Sequence, residues 1–151
     1  KEAHLRAAID LVREGRWDVG TCATPLNTDI ARTDASVVKV ARAASGRALY
    51  FSRAPIPYKR DEKPVGEELE REPFLRHIGI YSYTRAALHD WVALAPSQLE
   101  RLELLEQLRP LEAGLKIGVA IVGAVDPGVD TPADVIRIEE KLSEQGATTF
   151  A

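Results

Sequence analysis

The sequence predicts an α/β protein with a mixed, mostly parallel sheet and flanking helices. Two observations favour this class. An amphipathic helical pattern at the start of the chain is followed at once by an apolar strand pattern, as in layered α/β folds. Short apolar runs bounded by turn residues recur later, and the run at Leu115–Gly123 has the isoleucine and valine content of a buried strand.

Length, charge and cysteine content limit the class of protein further. The 151 residues suffice for one domain with a real core. The net charge of -3 excludes the basic surface of a nucleic-acid-binding domain, and no apolar run approaches the roughly 20 residues that span a membrane. The single cysteine, Cys22, excludes an internal disulfide and suits a reducing compartment. The chain lacks methionine and its helical pattern is already running at Lys1, so we expect a fragment.

The first predicted elements are a helix and a strand. Residues Lys1–Gly15 carry apolar side chains at helical spacing, and Gly15 is a suitable stop. Trp17–Leu26 has the pattern of a buried strand that Pro25 ends. We expect Cys22, inside this strand, to be a small core residue.

A hairpin and a charged connection come next. The runs Val37–Ala41 and Ala48–Phe51 flank Ser45-Gly46 and predict either a hairpin of two strands or a broken extension of the sheet. Arg53 follows the second run, at a strand end, where side chains often reach a binding site. Lys59–Glu72 is charged and predicts a surface connection, with a lid over a site as the alternative.

The stretch Pro73–Tyr83, PFLRHIGIYSY, predicts a buried strand with a polar face. Alternation places His77, Gly79, Tyr81 and Tyr83 on one face. Because Gly79 has no side chain, we expect a gap between the imidazole and the phenol that a polar small molecule could fill. The alternative is an ordinary core histidine with tyrosines at the rim.

Two helices follow this strand, at Thr84–Leu94 and Pro96–Glu112. The second opens with a capping box from Ser97 to Glu100 and carries a stripe of leucines. Glu106 falls within this stripe, with Gln107 beside it, so both are candidates to reach a ligand. The alternative is a structural ion pair between Glu106 and Arg109, three residues apart.

The last predicted element is a helix that begins after a turn. Thr131 and Asp134 form a capping box, so they need no further function. Asp130 precedes the cap at the end of a strand, where ligands bind in open α/β sheets. A carboxylate there is a candidate Mg²⁺ ligand.

Four stretches in register carry a resemblance to a known family: YFSRAPIPY, FLRHIGIYSY, PSQLERLELLEQLR and GVDTPADV. The chain resembles the 3-deoxy-D-manno-octulosonate (Kdo) cytidylyltransferases, or CMP-Kdo synthetases. The resemblance implies a Rossmann-like fold of the nucleotide-diphospho-sugar transferase type. It also implies transfer of CMP from CTP to Kdo with release of pyrophosphate, for lipopolysaccharide biosynthesis in the cytoplasm, by a homodimer that uses Mg²⁺.

The resemblance also implies site residues. The sugar pocket would use Arg53, His77, Tyr81, Glu106 and Gln107, and Asp130 would be one of two aspartates that hold Mg²⁺ and act in catalysis. Residues 1–151 would form the sugar-binding and dimerisation portion of the domain.

The resemblance has one departure. The family's phosphate loop and its second acidic motif are not in this sequence, so we expect the isolated chain to be inactive. The alternatives are a related nucleotidyltransferase for another acid sugar and a non-catalytic assembly module.

Overall fold

The computed structural model describes residues 2–26, 32–58, 60, 74–123, 135, 136, 139, 140 and 143. The elements in chain order are α1 (Glu2–Arg13), β1 (Val19–Pro25), β2 (Lys39–Arg42), β3 (Ala48–Ser52), β4 (Leu75–Tyr83), α2 (Arg85–Ala93), α3 (Gln98–Glu103), α4 (Leu108–Glu112) and β5 (Ile117–Ile121). The predicted connection at Lys59–Glu72 lies outside the described residues except for Arg60. The capping box predicted at Thr131 and Asp134 lies outside them entirely, as does Asp130.

The sheet has the strand order β3-β2-β4-β1-β5. It is mixed, as predicted, but the expectation of a mostly parallel sheet is wrong. In the described part of the chain, only β1 and β5 pair in parallel, whereas the β1–β4, β2–β3 and β2–β4 pairings are antiparallel. The hairpin explains part of the difference, because strands joined by a short turn can pair only in antiparallel fashion.

Helix α1 packs closely on the middle of the sheet. It ends as predicted, because Gly15 has a positive φ of 72° that other residues adopt only with strain. Ala8 is buried against β1, where Gly20 lets the backbones approach: a Cβ at Gly20 would lie 2.2 Å from the Ala8 carbonyl oxygen.

The core lies between this sheet and the helices that follow it. Its fully buried apolar side chains come from α4 and from strands β1, β2, β3 and β5. They include Val19, Val40, Phe51, Leu108 and Ile117. Cys22 is buried, as predicted, and burial raises the pKa of its thiol. No helix in the described part of the chain is long and apolar enough to cross a membrane.

The helix predicted at Thr84–Leu94 is confirmed as α2, and the Thr84 hydroxyl caps it by accepting a hydrogen bond from the Ala87 backbone N–H. The capping box of Ser97 and Glu100 is also confirmed. The single helix predicted for Pro96–Glu112 is wrong, because α3 ends at Glu103 and Leu104 adopts the left-handed conformation with a φ of 53°.

A distant side chain binds the end of the helix at this point. The Arg53 Nε donates to the Glu103 carbonyl at 2.8 Å, and its Nη2 donates to the Leu104 carbonyl at 3.4 Å. A helix leaves its last carbonyls without internal partners. Arg53 satisfies two carbonyls there, and the chain turns before α4.

Gly20→Ala should destabilise the protein, because its methyl group would overlap the Ala8 carbonyl oxygen. We expect the free energy of unfolding to fall by about 2 kcal/mol or more. Gly79→Ala is the matched control in the neighbouring strand, because a Cβ there has nothing within 4 Å. Its change should stay within about 1 kcal/mol. Denaturant unfolding measures both, and equal stability of the two variants would contradict the described packing of α1.

Candidate functional site

A bulge in β4 defines the site. Thr21 in β1 pairs with Tyr81, whereas the next residue, Cys22, pairs with Ile78, so two extra residues are inserted on the β4 side. Residues four apart on a regular strand lie about 13 Å from each other, at roughly 3.3 Å per residue. Here the ring centroids of His77 and Tyr81 are only 5.4 Å apart. The gap predicted over Gly79 is therefore absent, since the bulge brings the two rings together and leaves Gly79 exposed.

The Thr21 side chain lies inside this bulge. Its hydroxyl is within hydrogen-bond distance of the Ile80 carbonyl at 2.7 Å and the Ile78 carbonyl at 3.2 Å. It also lies 3.0 Å from the His77 Nε2. Thr21 is 0% exposed. One hydroxyl therefore joins β1 to both carbonyls of the bulge and to the imidazole.

His77 is held on several sides and is 9% exposed. The Phe51 ring meets it edge-on, with centroids 5.0 Å apart, and the Tyr81 ring lies tilted against its other flank. Burial lowers the pKa of His77 to about 4. The imidazole is therefore neutral near pH 7, so it suits recognition of hydroxyl groups and cannot serve as the cation for a carboxylate.

Tyr81 has a hydroxyl that is buried without a partner. The ring packs on Tyr83 and Trp91, each at a centroid distance of 6.0 Å. Among the described residues, no atom forms a hydrogen bond with the Tyr81 hydroxyl. Burial and, secondarily, the nearby Glu106 carboxylate raise the pKa of Tyr81 far above its ordinary value. A buried hydroxyl without a hydrogen-bond partner lowers the stability of a protein by about 1–3 kcal/mol. A ligand hydroxyl that formed a hydrogen bond with Tyr81 would therefore remove this cost.

Glu106 and Gln107 occupy the turn between α3 and α4. The predicted ion pair between Glu106 and Arg109 is wrong, because the Arg109 guanidinium binds the Glu100 carboxylate, with Nε to Oε2 at 2.7 Å. Glu106 is exposed, and its carboxylate helps to raise the pKa of Tyr81 and Tyr83. Gln107 is only 2% exposed, so its side chain points inward.

Arg53 lies at the end of β3, as predicted. Besides its two bonds to the end of α3, its Nη1 donates to the Ala35 carbonyl at 3.0 Å. A guanidinium has five N–H groups, so the bonds to Ala35, Glu103 and Leu104 leave two N–H groups, one on each terminal nitrogen. That number suffices for paired hydrogen bonds to one carboxylate.

Two residues that the sequence analysis did not single out fix this strand end. The Lys39 ammonium, buried beneath it, donates to the carbonyls of Asp34 at 2.8 Å, of Val37 at 2.7 Å, and of Arg53. The Glu103 carboxylate accepts from the Arg53 backbone N–H at 2.9 Å. Burial lowers the pKa of Lys39, yet three carbonyl acceptors match the three donors of the charged form. A lysine between two valines in a strand was the available signal.

The structure places the predicted sugar-site residues in two groups: His77 and Tyr81 lie in contact at the β4 bulge, and Arg53 binds the end of α3, just before the turn that bears Glu106 and Gln107. Phe51, two residues before Arg53, contacts His77, which contacts Tyr81. Arg53 also binds the two residues that begin the turn bearing Glu106 and Gln107. Asp130 lies outside the described residues, and those residues contain no group of three or more His, Cys, Asp or Glu that could hold a metal.

Thr21 is a third residue that sequence reasoning missed, after Lys39 and Glu103. It lies in the predicted apolar strand Trp17–Leu26. The apolar neighbours in that strand offer its hydroxyl no side-chain hydrogen-bond partner. A buried hydroxyl needs a hydrogen-bond partner. That requirement was the only signal in the sequence, and it does not say which distant residue supplies the partner.

Among the described residues, the fold is an α/β domain with a mixed sheet, in which a bulged strand brings buried aromatic and polar groups together. The family model described as cytidylyltransferase matches residues 1–117. The chain therefore belongs to the cytidylyltransferase family, which agrees with the resemblance seen in its sequence.

Two individual members of the family are similar to this chain over most of its length. The chain is 46% identical over 135 residues to the 3-deoxy-manno-octulosonate cytidylyltransferase of Gemmatimonas aurantiaca, covering 88% of this chain and 50% of the relative. It is 42% identical over 146 residues to the enzyme of that name from Xanthomonas euvesicatoria pv. vesicatoria, covering 93% of this chain and 56% of the relative.

A solved structure has the same fold. It is a CMP:2-keto-3-deoxy-manno-octonic acid synthetase complexed with CTP, with a TM-score of 0.80 and 34% identity, over 91% of this chain and 54% of that one. The chain thus spans about half the length of the curated relatives that it matches.

The stability of the protein should depend on pH through His77. Its folded pKa of about 4 lies below the ordinary 6.5, so the unfolded chain binds the proton more tightly. The stabilising contribution is complete above about pH 6.5 and falls as the pH decreases to 4, by about 3 kcal/mol in total. Denaturant unfolding at pH 7 and pH 4.5 should show a loss that is about 2–3 kcal/mol larger in wild type than in His77→Leu.

The control for this measurement is His89→Gln, because the His89 side chain is exposed. This variant should keep the wild-type pH dependence. If His77→Leu loses as much stability on acidification as wild type does, the described burial of His77 is incorrect.

Proposed function

We propose that this chain is the sugar-binding portion of an enzyme that transfers CMP from CTP to 3-deoxy-D-manno-octulosonate and releases pyrophosphate. The observation that carries the proposal is the buried Tyr81 hydroxyl, which has no hydrogen-bond partner among the described residues and lies beside His77 and near the Glu106 carboxylate. The 46% identity to a protein named for this reaction supports it.

The residues suit an anionic, polyhydroxylated acid. The two remaining N–H groups of Arg53 would bind the sugar carboxylate. His77, Tyr81, Glu106 and the inward amide of Gln107 would exchange hydrogen bonds with sugar hydroxyls. The partnerless hydroxyl of Tyr81 is the strongest support, because a ligand would satisfy it.

In the proposed reaction, a sugar hydroxyl oxygen attacks the α-phosphorus of CTP. A new oxygen–phosphorus bond forms, the bond from the α-phosphorus to the bridging oxygen breaks, and pyrophosphate leaves with that oxygen. The hydroxyl proton passes to solvent. No protein nucleophile is required, so the contribution of this chain is to orient the sugar and neutralise its carboxylate.

We also propose Mg²⁺ as cofactor, with Asp130 as one ligand, since carboxylates and phosphate oxygens are its usual ligands. The metal would neutralise phosphate charge and activate the attacking oxygen. The described residues offer no donor set for it, so this part of the proposal depends on the sequence alone.

We further propose a homodimer in the cytoplasm. Several large apolar side chains are exposed on α2 and in and just after α3, and they support self-association: Leu88, Val92, Leu102 and Leu104. The free thiol of Cys22 is consistent with a reducing compartment.

Arg53→Ala should abolish discrimination for the sugar carboxylate. We expect the wild-type chain to bind Kdo at least about tenfold more tightly than its methyl ester, because charged hydrogen bonds contribute about 1.5–3 kcal/mol. Arg53→Ala should bind both sugars equally, as measured by calorimetry. The ratio separates recognition from general damage to the turn that Arg53 supports.

Arg101→Ala is the matched control, since Arg101 is an exposed arginine of α3. It should retain the wild-type preference for the acid. Undiminished preference in Arg53→Ala would rule out its role, and absence of any Kdo binding by wild type would contradict the proposed function.

Tyr81→Phe should have opposite effects on stability and binding. Without ligand, removal of the partnerless hydroxyl should leave the protein equally stable or more stable, by up to about 1 kcal/mol. Kdo affinity should fall about fivefold or more, because the ligand loses a hydrogen bond. Tyr58→Phe, at an exposed position, should change neither property. A variant that loses stability and keeps its affinity would show that the hydroxyl serves the fold.

A further inference from the structure

We propose that Thr21 is a positioning residue that holds the His77 proton on Nε2, so that the imidazole meets the bound sugar as a hydrogen-bond acceptor through Nδ1. The inference rests on the proposed function for its ligand. The assignment of the proton itself follows from the hydrogen bonds inside the bulge.

The single hydrogen of the Thr21 hydroxyl determines where the His77 proton lies. The hydroxyl has one hydrogen to donate and two lone pairs. Its surroundings are the carbonyls of Ile80 and Ile78, at 2.7 and 3.2 Å, and the Nε2 of His77 at 3.0 Å. Carbonyl oxygens can only accept. The hydrogen therefore points to the carbonyls, with the shorter distance favouring Ile80, and a lone pair of Thr21 faces Nε2.

Two acceptors cannot form a hydrogen bond, so Nε2 must carry a hydrogen that it donates to Thr21. The opposite tautomer would turn the Thr21 hydrogen to the ring. Both bulge carbonyls would then lose the threonine as donor, in a segment where the β1–β4 register is already shifted. Both bonds are part-buried, where the loss of a donor to a backbone carbonyl is unfavourable, so the bulge itself favours the Nε2–H form.

The opposite side of the ring is then an acceptor. A neutral imidazole carries one N–H, and with the hydrogen on Nε2 the Nδ1 atom has only a lone pair. None of the described residues forms a hydrogen bond with Nδ1. The rings of Phe51 and Tyr81 flank the imidazole and restrict its rotation. The burial of His77 keeps the ring neutral near pH 7.

This arrangement determines which sugar groups suit the site. The group opposite Nδ1 must donate a hydrogen bond, as a hydroxyl or an amino group does. A carbonyl, fluoro or methoxy group at that position can only accept, and would face the lone pair of Nδ1 unfavourably. Thr21 would thereby influence specificity without touching the ligand.

The test is nitrogen NMR of the ¹⁵N-histidine-labelled chain near pH 7, with the His77 signals assigned by their loss in His77→Gln. We expect a pyrrole-type Nε2 and a pyridine-type Nδ1 in wild type and in Thr21→Ser. In Thr21→Val, which keeps the side-chain shape and removes the acceptor, a substantial Nδ1–H population should appear. A pyridine-type Nε2 in wild type overturns the proposal, as does a Thr21→Val spectrum identical to that of wild type.

A binding measurement then separates the two levels of the proposal. Titration with Kdo should show an affinity about tenfold lower in Thr21→Val, and within about threefold of wild type in Thr21→Ser. If wild type binds no Kdo, the proposed function fails while the NMR result still decides the tautomer. If wild type binds Kdo and Thr21→Val binds it equally well, the positioning role is overturned. Should Thr21→Val not fold, the wild-type and Thr21→Ser spectra decide the assignment.

Discussion

The hydrogen bonds of a single buried hydroxyl shape the site more than any other interaction. Thr21 joins β1 to the two carbonyls of the β4 bulge and to the His77 imidazole. Because the bulge shortens the strand, two rings four residues apart come into contact. An unbulged strand would place them too far apart to bind one sugar together. The bulge is therefore a feature that the site requires, as is common where strands border binding sites.

The other half of the site depends on the broken helix. Arg53 binds carbonyls at the end of α3, and the Glu103 carboxylate accepts the Arg53 backbone N–H in return. This reciprocal contact ties the end of β3 to the turn that carries Glu106 and Gln107. Arg53 thus supports the position of the turn even without ligand. A carboxylate bound to its two remaining N–H groups would stiffen the same junction, so binding and local order are coupled.

The chain belongs to the cytidylyltransferase family, yet it spans about half the length of its curated relatives. The described part of that half has its own sheet and a continuous core, with Val19, Phe51 and Leu108 fully buried. The candidate sugar residues all lie within it. In the proposed function, orientation of a sugar would need a rigid, partly apolar surface, and this sheet is such a surface.

The sequence by itself determined those features that depend on near neighbours. Helix α1 and its stop at Gly15, the hairpin of β2 and β3, the Thr84 cap and the capping box at Ser97 all involve groups a few residues apart. The residue types of the site, such as His77 and Glu106, were also recognisable, because polar groups in apolar patterns are conspicuous.

Only the tertiary structure decided how those residues meet. The bulge depends on Thr21, which is 56 residues from His77, and the helix break depends on Arg53, 50 residues from Glu103. The partner of Arg109 is Glu100, not the nearer Glu106, and β4 proved antiparallel to both β1 and β2. Periodicity reports which face of an element is apolar. It carries no information about which distant donor will satisfy a given buried acceptor, since that choice is made by the packing of the whole chain.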